Sequence, residues 1–273
     1  MFQHSKPRGP VSATIATMEL IFHVAVREIR QKNGNAILAI LSAVTRALIM
    51  LAVFYLFFQL LGLRSAGLRG DFMLYLASGI FLFLTHNGAI SAITGADGPM
   101  DGMLQHAPLN TAITISGAAL ANLYLQVLTV VSLLFIYHTA VTPIYIDDMI
   151  GAFGMFLLAW ASGCSVGLLL MAFKPWAPGI VGKISMLYRR ANMIASGKMF
   201  VANALPGYMV AMFDWNPLFH TIDQARGFVF NNYFPHNSSI EYPIYLTLTL
   251  LTLGLIAEFF TRQHVSPSWE ARR

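Results

Sequence analysis

The sequence predicts an all-α polytopic membrane protein with six transmembrane helices, an N-terminal amphipathic interface helix and re-entrant outer helices before the last span. Three observations carry this reading. Hydrophobic residues make up 56% of the 273 residues and charged residues only 11%, against about 25% charged in soluble domains, and mean hydropathy is +0.62. Apolar stretches of about 20 residues, the length that crosses a hydrocarbon core, recur along the chain. Between the last two lies a polar, helix-patterned segment, Trp215 to Arg226, flanked too closely by apolar sequence to be a separate domain.

Taken in order, Ser12 to Arg30 places Ile15, Met18, Phe22, Val26 and Ile29 at helical spacing, interrupted by Glu19, His23, Arg27, Glu28 and Arg30. That pattern describes an amphipathic helix over 11–32 lying on the membrane surface; the competing reading is a helix packed on the protein itself. Asn33-Gly34-Asn35 ends it. The spans are Ala36 to Leu63, Phe72 to Thr94, Leu109 to Tyr137, Met149 to Phe173, Ile180 to Val201 and Tyr242 to Phe260. The fifth is the least regular, because Arg189, Arg190 and Lys198 interrupt it. No cleavable leader is expected, since no short apolar run with a cleavage site follows the polar start.

Lys and Arg orient the bundle. One side carries Lys6, Arg8, Arg27, Arg30, Lys32, Lys174, Lys183, Arg189, Arg190, Arg262, Arg272 and Arg273; the other carries Arg64, Arg69 and Arg226. Both termini are therefore expected in the cytoplasm. The net charge of +5 reflects this topology signal, and nucleic acid is not an expected partner. The lone Cys164 excludes a disulfide framework within one chain.

Two connections are more than turns. The cytoplasmic stretch 95–108 has three glycines and two prolines around a short candidate helix, Met100 to His106, and is longer than the 2–8 residues usual between packed helices; it reads as a docking element. From 204 to 235, on the outer side, Leu205-Pro206 and Asn216-Pro217 each break a helix, Met209 to Phe213 is apolar enough to dip back, and Leu218 to Phe230 forms a second helix. Such re-entrant segments survive only where protein or a water-filled path satisfies the broken backbone.

Four places give a resemblance to a known family. They are Val26-Arg27-Glu28-Ile29-Arg30, the Met103 to Leu109 loop with Ala107-Pro108-Leu109, the six-span layout, and Trp215-Asn216-Pro217-Leu218 followed by His220, Asp223 and Arg226. Together they resemble the membrane-spanning permease subunit of an ABC-type polysaccharide exporter, the family that moves capsule, O-antigen or teichoic acid chains. The chain departs from it in the first span, where Ser42-Ala43 stands in place of an acidic residue followed by proline. The resemblance implies a homodimer enclosing a channel in the bacterial inner membrane, two copies of a cytoplasmic P-loop ATPase, a polysaccharide or glycolipid cargo, and room for a periplasmic export adaptor. It makes Asp97, Pro99, Met100, Asp101, Met103, Leu104, His106 and Pro108 the coupling helix seated in the ATPase. From their place in the broken outer segment, Trp215, Asn216, Pro217, Phe219, His220, Asp223 and Arg226 read as an outer gate of the dimeric channel, with Asp223 and Arg226 a candidate intrahelical ion pair. The chain holds no G-x-x-x-x-G-K-[ST], and neither Gly182-Lys183 nor Gly197-Lys198 is followed by a hydroxyl residue. No cofactor is expected on this chain, with ATP and Mg on the partner ATPase.

Ionisable residues inside spans are expensive and face protein or water. Arg46, Arg189, Arg190 and Lys198, with Tyr55 among the aromatics of the first two spans, are candidates for a path that attracts an anionic, acidic and lipid-linked glycan. The alternative for the basic residues is snorkelling to the headgroups. For Phe54, Phe57, Phe58, Phe72, Tyr75, Phe81 and Phe83 the alternative to a sugar-stacking wall is ordinary packing. A second function class is an intramembrane acyl or glycosyl transferase with His220 and Asp223 as acid and base; it lacks an accompanying nucleophile or metal cluster. His86, His138, His220 and His236 match no ligand spacing.

Overall fold

A computed structural model describes residues 9–62, 70–96 and 110–264, which form nine α-helices and one 3-10 turn. The coupling residues Asp97 to Pro108 lie outside the described residues. The helices are α1 (Pro10–Asn33), α2 (Ala36–Leu60), α3 (Phe72–Thr94), α4 (Thr111–Ala140), α5 (Met149–Phe173), α6 (Pro178–Ala195), α7 (Gly207–Phe213), α8 (Pro217–Val229) and α9 (Glu241–His264). Side-chain caps set several starts: Asn35 accepts from Ile37 N, Asp71 from Met73 N, and Asp148 from Ile150 N and Gly151 N. Gly34 and Gly62, at φ 71° and 69°, stand just beyond the ends of α1 and α2.

Five of these helices, α2, α3, α4, α5 and α9, are long and apolar enough to cross a membrane. The expected fifth span, 180–201, is corrected: α6 ends at Ala195, and Gly197 at φ 75° turns the chain. Lys183, Arg189 and Arg190 make α6 amphipathic rather than uniformly apolar. The last span is also longer than expected, running on through Arg262 to His264.

The centre of the bundle is α3, with 78% of its most apolar window buried against 22% for α2 and α4 and 17% for α9. It packs most extensively on α5, and α5 in turn on α9. The α3–α5 approach depends on Gly163 and Gly167, a Gly-x-x-x-Gly pair. A Cβ on Gly163 would stand 2.4 Å from the His86 carbonyl oxygen, and one on Gly167 3.1 Å from the Ile90 Cα. In a membrane, helices gain little from apolar burial against each other, so close backbone contact of this kind carries association. Gly163→Ala should therefore force α5 off α3 at a cost of about 1–3 kcal/mol, seen as a lower unfolding temperature of the purified protein in detergent; an unchanged temperature would contradict the tight approach.

Around this contact His86 is fully buried, its Nδ1 within 2.9 Å of Ser162 Oγ and its Nε2 3.2 Å from Tyr188 Oη. The imidazole thus ties α3 to both α5 and α6.

α1 packs on the protein along one face and exposes an apolar stripe along the other. Ile15, Met18 and Phe22 are more than 60% exposed, while Val24, Ala25, Glu28 and Ile29 are buried against α4 and α2. Gly117 of α4 makes room, since a Cβ there would lie 2.5 Å from a Val24 methyl. The helix is docked by one face and leaves its other, apolar stripe exposed.

The aromatics of α2 and α3 are mainly core. Phe54, Phe58, Tyr75, Phe81 and Phe83 are buried, Tyr55 and Phe72 half-buried, and Phe57 exposed.

Candidate functional site

Residues 196–240 form a folded-back insert between α6 and α9, and the hydrogen bonds trace its path. At one end of the bundle Asp71 receives the hydroxyls of Tyr137 (2.6 Å) and Thr142 (3.2 Å), and Asp148 N donates to Phe228 O (2.8 Å). The chain leaving α6 reaches toward this end: Asn203 Nδ2 donates to Phe234 O and Asn203 Oδ1 accepts from His236 N. Then α7 turns back, and Asn216 at its far end meets the last turn of α6. Asn216 Nδ2 donates to Asn192 Oδ1 and to Ala195 O, both at 2.9 Å. From there α8 returns to Phe228 beside Asp148. The pair α7–α8 is a helical hairpin whose turn places Asn216 inside the bundle, while Asp214 and Trp215 beside it stay exposed.

Asn216-Pro217 builds that tip for a local reason. The Asn216 carboxamide oxygen accepts from Leu218 N (3.0 Å), which caps α8, while Pro217 occupies the first helical position, where a missing N–H costs nothing. The amide group is then free to clamp α6. Trp215 is 52% exposed, its indole donating to Met212 O, and its own carbonyl accepts from the Tyr242 hydroxyl at 2.7 Å.

Nearly all of α8 is buried, including His220, Asp223 and Arg226. The expected Asp223–Arg226 ion pair does not form: among the described residues no ion pair joins them, and each carries a separate set of bonds. Arg226 reaches back to the turn after α6, where Nη1 donates to Gly197 O (2.9 Å) and Phe200 O (2.7 Å) and Nη2 to Lys198 O (2.9 Å). Its guanidinium lies 4.2 Å from the centre of the Tyr75 ring. Gly79 on α3 admits this layer, since a Cβ there would meet Lys198 Cα at 2.9 Å and Arg226 Nη2 at 3.0 Å. A planar fork with several fixed donors suits three converging carbonyls, which lysine would not match.

Asp223 faces the descending segment 230–240 instead. Its two oxygens accept from the Tyr233 hydroxyl and from Ser238 Oγ (2.7 Å). Burial, and after it the neighbouring Asp223 carboxylate, push the Tyr233 phenol up, so it stays protonated and donating. His220 accepts from Ser239 N at Nδ1 (3.1 Å), which leaves the proton on Nε2, directed at Asp214 O (2.7 Å) and Asp214 Oδ1 (3.1 Å). Both ring nitrogens and both carboxylate oxygens are thus committed to holding the insert together, an arrangement that braces rather than transfers protons.

Phe219 is buried, packed with Phe200 and Phe213 at ring-centre distances of 6.5 and 6.3 Å. Of the residues expected at the gate, Trp215 is the one on the surface. The expected path residues are not gathered in one place. Lys198 is 1% exposed, its ammonium bonded to Met193 O and 4.1 Å from the Phe83 ring centre, with Phe54 on its other flank at 5.4 Å. Arg189 is half-buried, its Nη1 donating to Ser91 Oγ. Arg190 is exposed. Arg46 is also exposed, at mid-length on the apolar outer face of α2, beside a groove with Leu38, Leu41, Ser42, Thr45 and Ile49. Among the described residues no group of three His, Cys, Asp or Glu stands close enough to hold a metal.

Sequence reasoning missed Asn192, Tyr233 and Ser238, the partners of Asn216 and Asp223. Nothing in their local pattern marks them. The Gly163-x-x-x-Gly167 spacing, by contrast, is a legible signal for the α3–α5 contact.

No protein-family model matches the chain. Two curated relatives, both polysialic acid transport protein KpsM of Escherichia coli, are similar along nearly the whole length. They are 26% identical over 252 residues and 27% identical over 257, each match covering 90% of this chain and 93% of the relative. The resemblance to polysaccharide-export permeases is thus carried by the full chain and not by its motifs alone.

Proposed function

We propose that this chain is the permease subunit of an ATP-driven exporter that moves a lipid-linked, acidic polysaccharide across the bacterial inner membrane through a path between two copies of itself. The observation that carries the reading is the near full-length similarity to a protein named for polysialic acid transport, a polymer that is itself acidic. ATP is hydrolysed by a separate subunit, which docks on the cytoplasmic side where both termini lie.

The α2 surface supports a path between copies. An arginine on the exposed face of a 25-residue apolar helix is costly in lipid, by about 2.5–3.5 kcal/mol on insertion scales, so Arg46 meets water, cargo or a second copy. The exposed surface of α7, with Tyr208 and Met212, and the adjoining Trp215 form the outer rim. The buried α8 behind them is a rigid support, and Lys198 meets cargo only if the 197–200 turn lifts off α3.

Arg46→Leu is expected to leave the amount of protein in the membrane unchanged and to lower surface polysaccharide by about tenfold or more, the effect of about 1.4 kcal/mol at a limiting step. The assay is surface polysaccharide in cells expressing the chain with its partner P-loop ATPase. Undiminished export by the variant would remove α2 from the path. Glycan turnover by the isolated chain without an ATPase would overturn the transport reading itself.

A further inference from the structure

A second feature lies away from α2, bordered on one side by Ala225 and Val229 of α8. Helices α4 and α5 both pack on α3 but scarcely on each other, and the wedge between them is a cleft of about 770 Å³, within the roughly 300–1,000 Å³ of sites that enclose a small ligand. Its walls are apolar, with Phe81 and Leu82 of α3 at its back and Val131, Phe135 and Phe153 at its sides. Of the two polar side chains that border it, Ser78 is already bonded to Tyr75 O (2.8 Å). The other, His138, sits at one end, beside the 141–148 connection.

The dimensions and the polarity of the cleft agree. On α4 it extends from Val127 to His138, about 16 Å at 1.5 Å per residue, which is about half of the roughly 30 Å hydrocarbon core and hence the depth of one leaflet. His138 Nδ1 accepts from Ile144 N (3.0 Å), so the proton of the neutral ring is on Nε2. That N–H has no partner among the described residues and marks the headgroup end of the cleft. Water does not stabilise a cavity so poor in polar partners, and the cleft belongs to spans whose surroundings are hydrocarbon.

We propose that this cleft holds one acyl chain of a membrane phospholipid from the outer leaflet, with a glycerol-ester or phosphate oxygen of the same lipid accepting from His138 Nε2. The lipid acts as a wedge between α4 and α5, filling contacts with α3 that the two helices do not make themselves. The site is separate from the cargo path and holds its lipid whether or not polysaccharide is being exported.

The test uses the full chain extracted in mild detergent and examined by native mass spectrometry, with intact mass and lipid extraction identifying any adduct. The expected result is a retained phospholipid on the native chain. Val131→Trp and Ala152→Phe, which fill the cleft from α4 and α5, should each reduce retention by about tenfold or more, whereas Leu248→Trp on the outer face of α9 should retain it. Circular dichroism and size-exclusion profiles show which variants are folded, and the native chain decides by itself if a filled variant is not. Absence of bound lipid on the native chain, or equal retention in a folded filled variant, overturns the site. So does an adduct with the mass of a glycolipid, which would mean that the cleft takes the cargo anchor. Loss of dimer in the filled variants with no lipid on the native chain would mean that a second copy occupies it.

Discussion

Arg226→Ala is expected to remove most of the folded protein from the membrane. The guanidinium is 1% exposed and supplies three hydrogen bonds to carbonyls of the turn after α6. Alanine leaves those oxygens buried without donors and opens a gap under Tyr75, and breaking a buried charged network costs about 3–5 kcal/mol, a large share of the total stability of a domain. Arg226→Lys should recover only part of this, because an ammonium on a flexible stem cannot address three carbonyls with the geometry of the fork. Membrane-fraction immunoblots and thermal unfolding in detergent give both numbers. Normal levels in Arg226→Ala would mean that the turn is held without it.

Asn216→Ala is the second large effect expected. The substitution loses the α8 cap, worth about 1 kcal/mol, and leaves Asn192 Oδ1 and Ala195 O unpaired in the interior at about 1–3 kcal/mol each, so a loss of about 2–4 kcal/mol is anticipated after relaxation. Asn216→Asp separates the two roles. It keeps the oxygen that accepts from Leu218 N but places a carboxylate against two acceptors, and it should be no more stable than alanine. If Asp restores native stability, the capping bond alone matters and the clamp on α6 does not.

These two side chains show what was legible beforehand. Asn216-Pro217 reads locally as a helix break followed by a helix start, because capping and the missing proline N–H are properties of adjacent residues. The clamp to α6 is not local: Asn192 is 24 positions away and lies on a stretch whose hydropathy suggested a span. Asp223 and Arg226 sit three apart, a spacing that permits an ion pair, yet each found stronger partners brought in by the fold. In the interior, three carbonyls or two hydroxyls around one group outweigh a pairing across one helical turn.

The fifth stretch shows a similar limit. Hydropathy over 180–201 counts residues without regard to where a backbone turns, and the turn at Gly197 exists because Gly79 of α3 and Arg226 of α8 receive it. The periodicity of α1 was readable, but the same helix could present its apolar stripe to lipid or to protein. Gly117 on α4 decided that Val24 and Ala25 dock while Ile15, Met18 and Phe22 stay outside.

Sequence by itself determined the membrane-spanning helical class, the positions of the long apolar helices and the two breaks that frame α7 and α8, since these follow from composition, length and the conformational limits of proline and asparagine within a few residues. The tertiary structure decided which helix is central, where α6 stops, which partners Asp223 and Arg226 take, and that an apolar cleft of about 770 Å³ lies between α4 and α5. Those outcomes depend on backbones approaching at Gly79 and on buried polar groups finding distant partners, which is a property of three-dimensional packing and has no local signature in the chain.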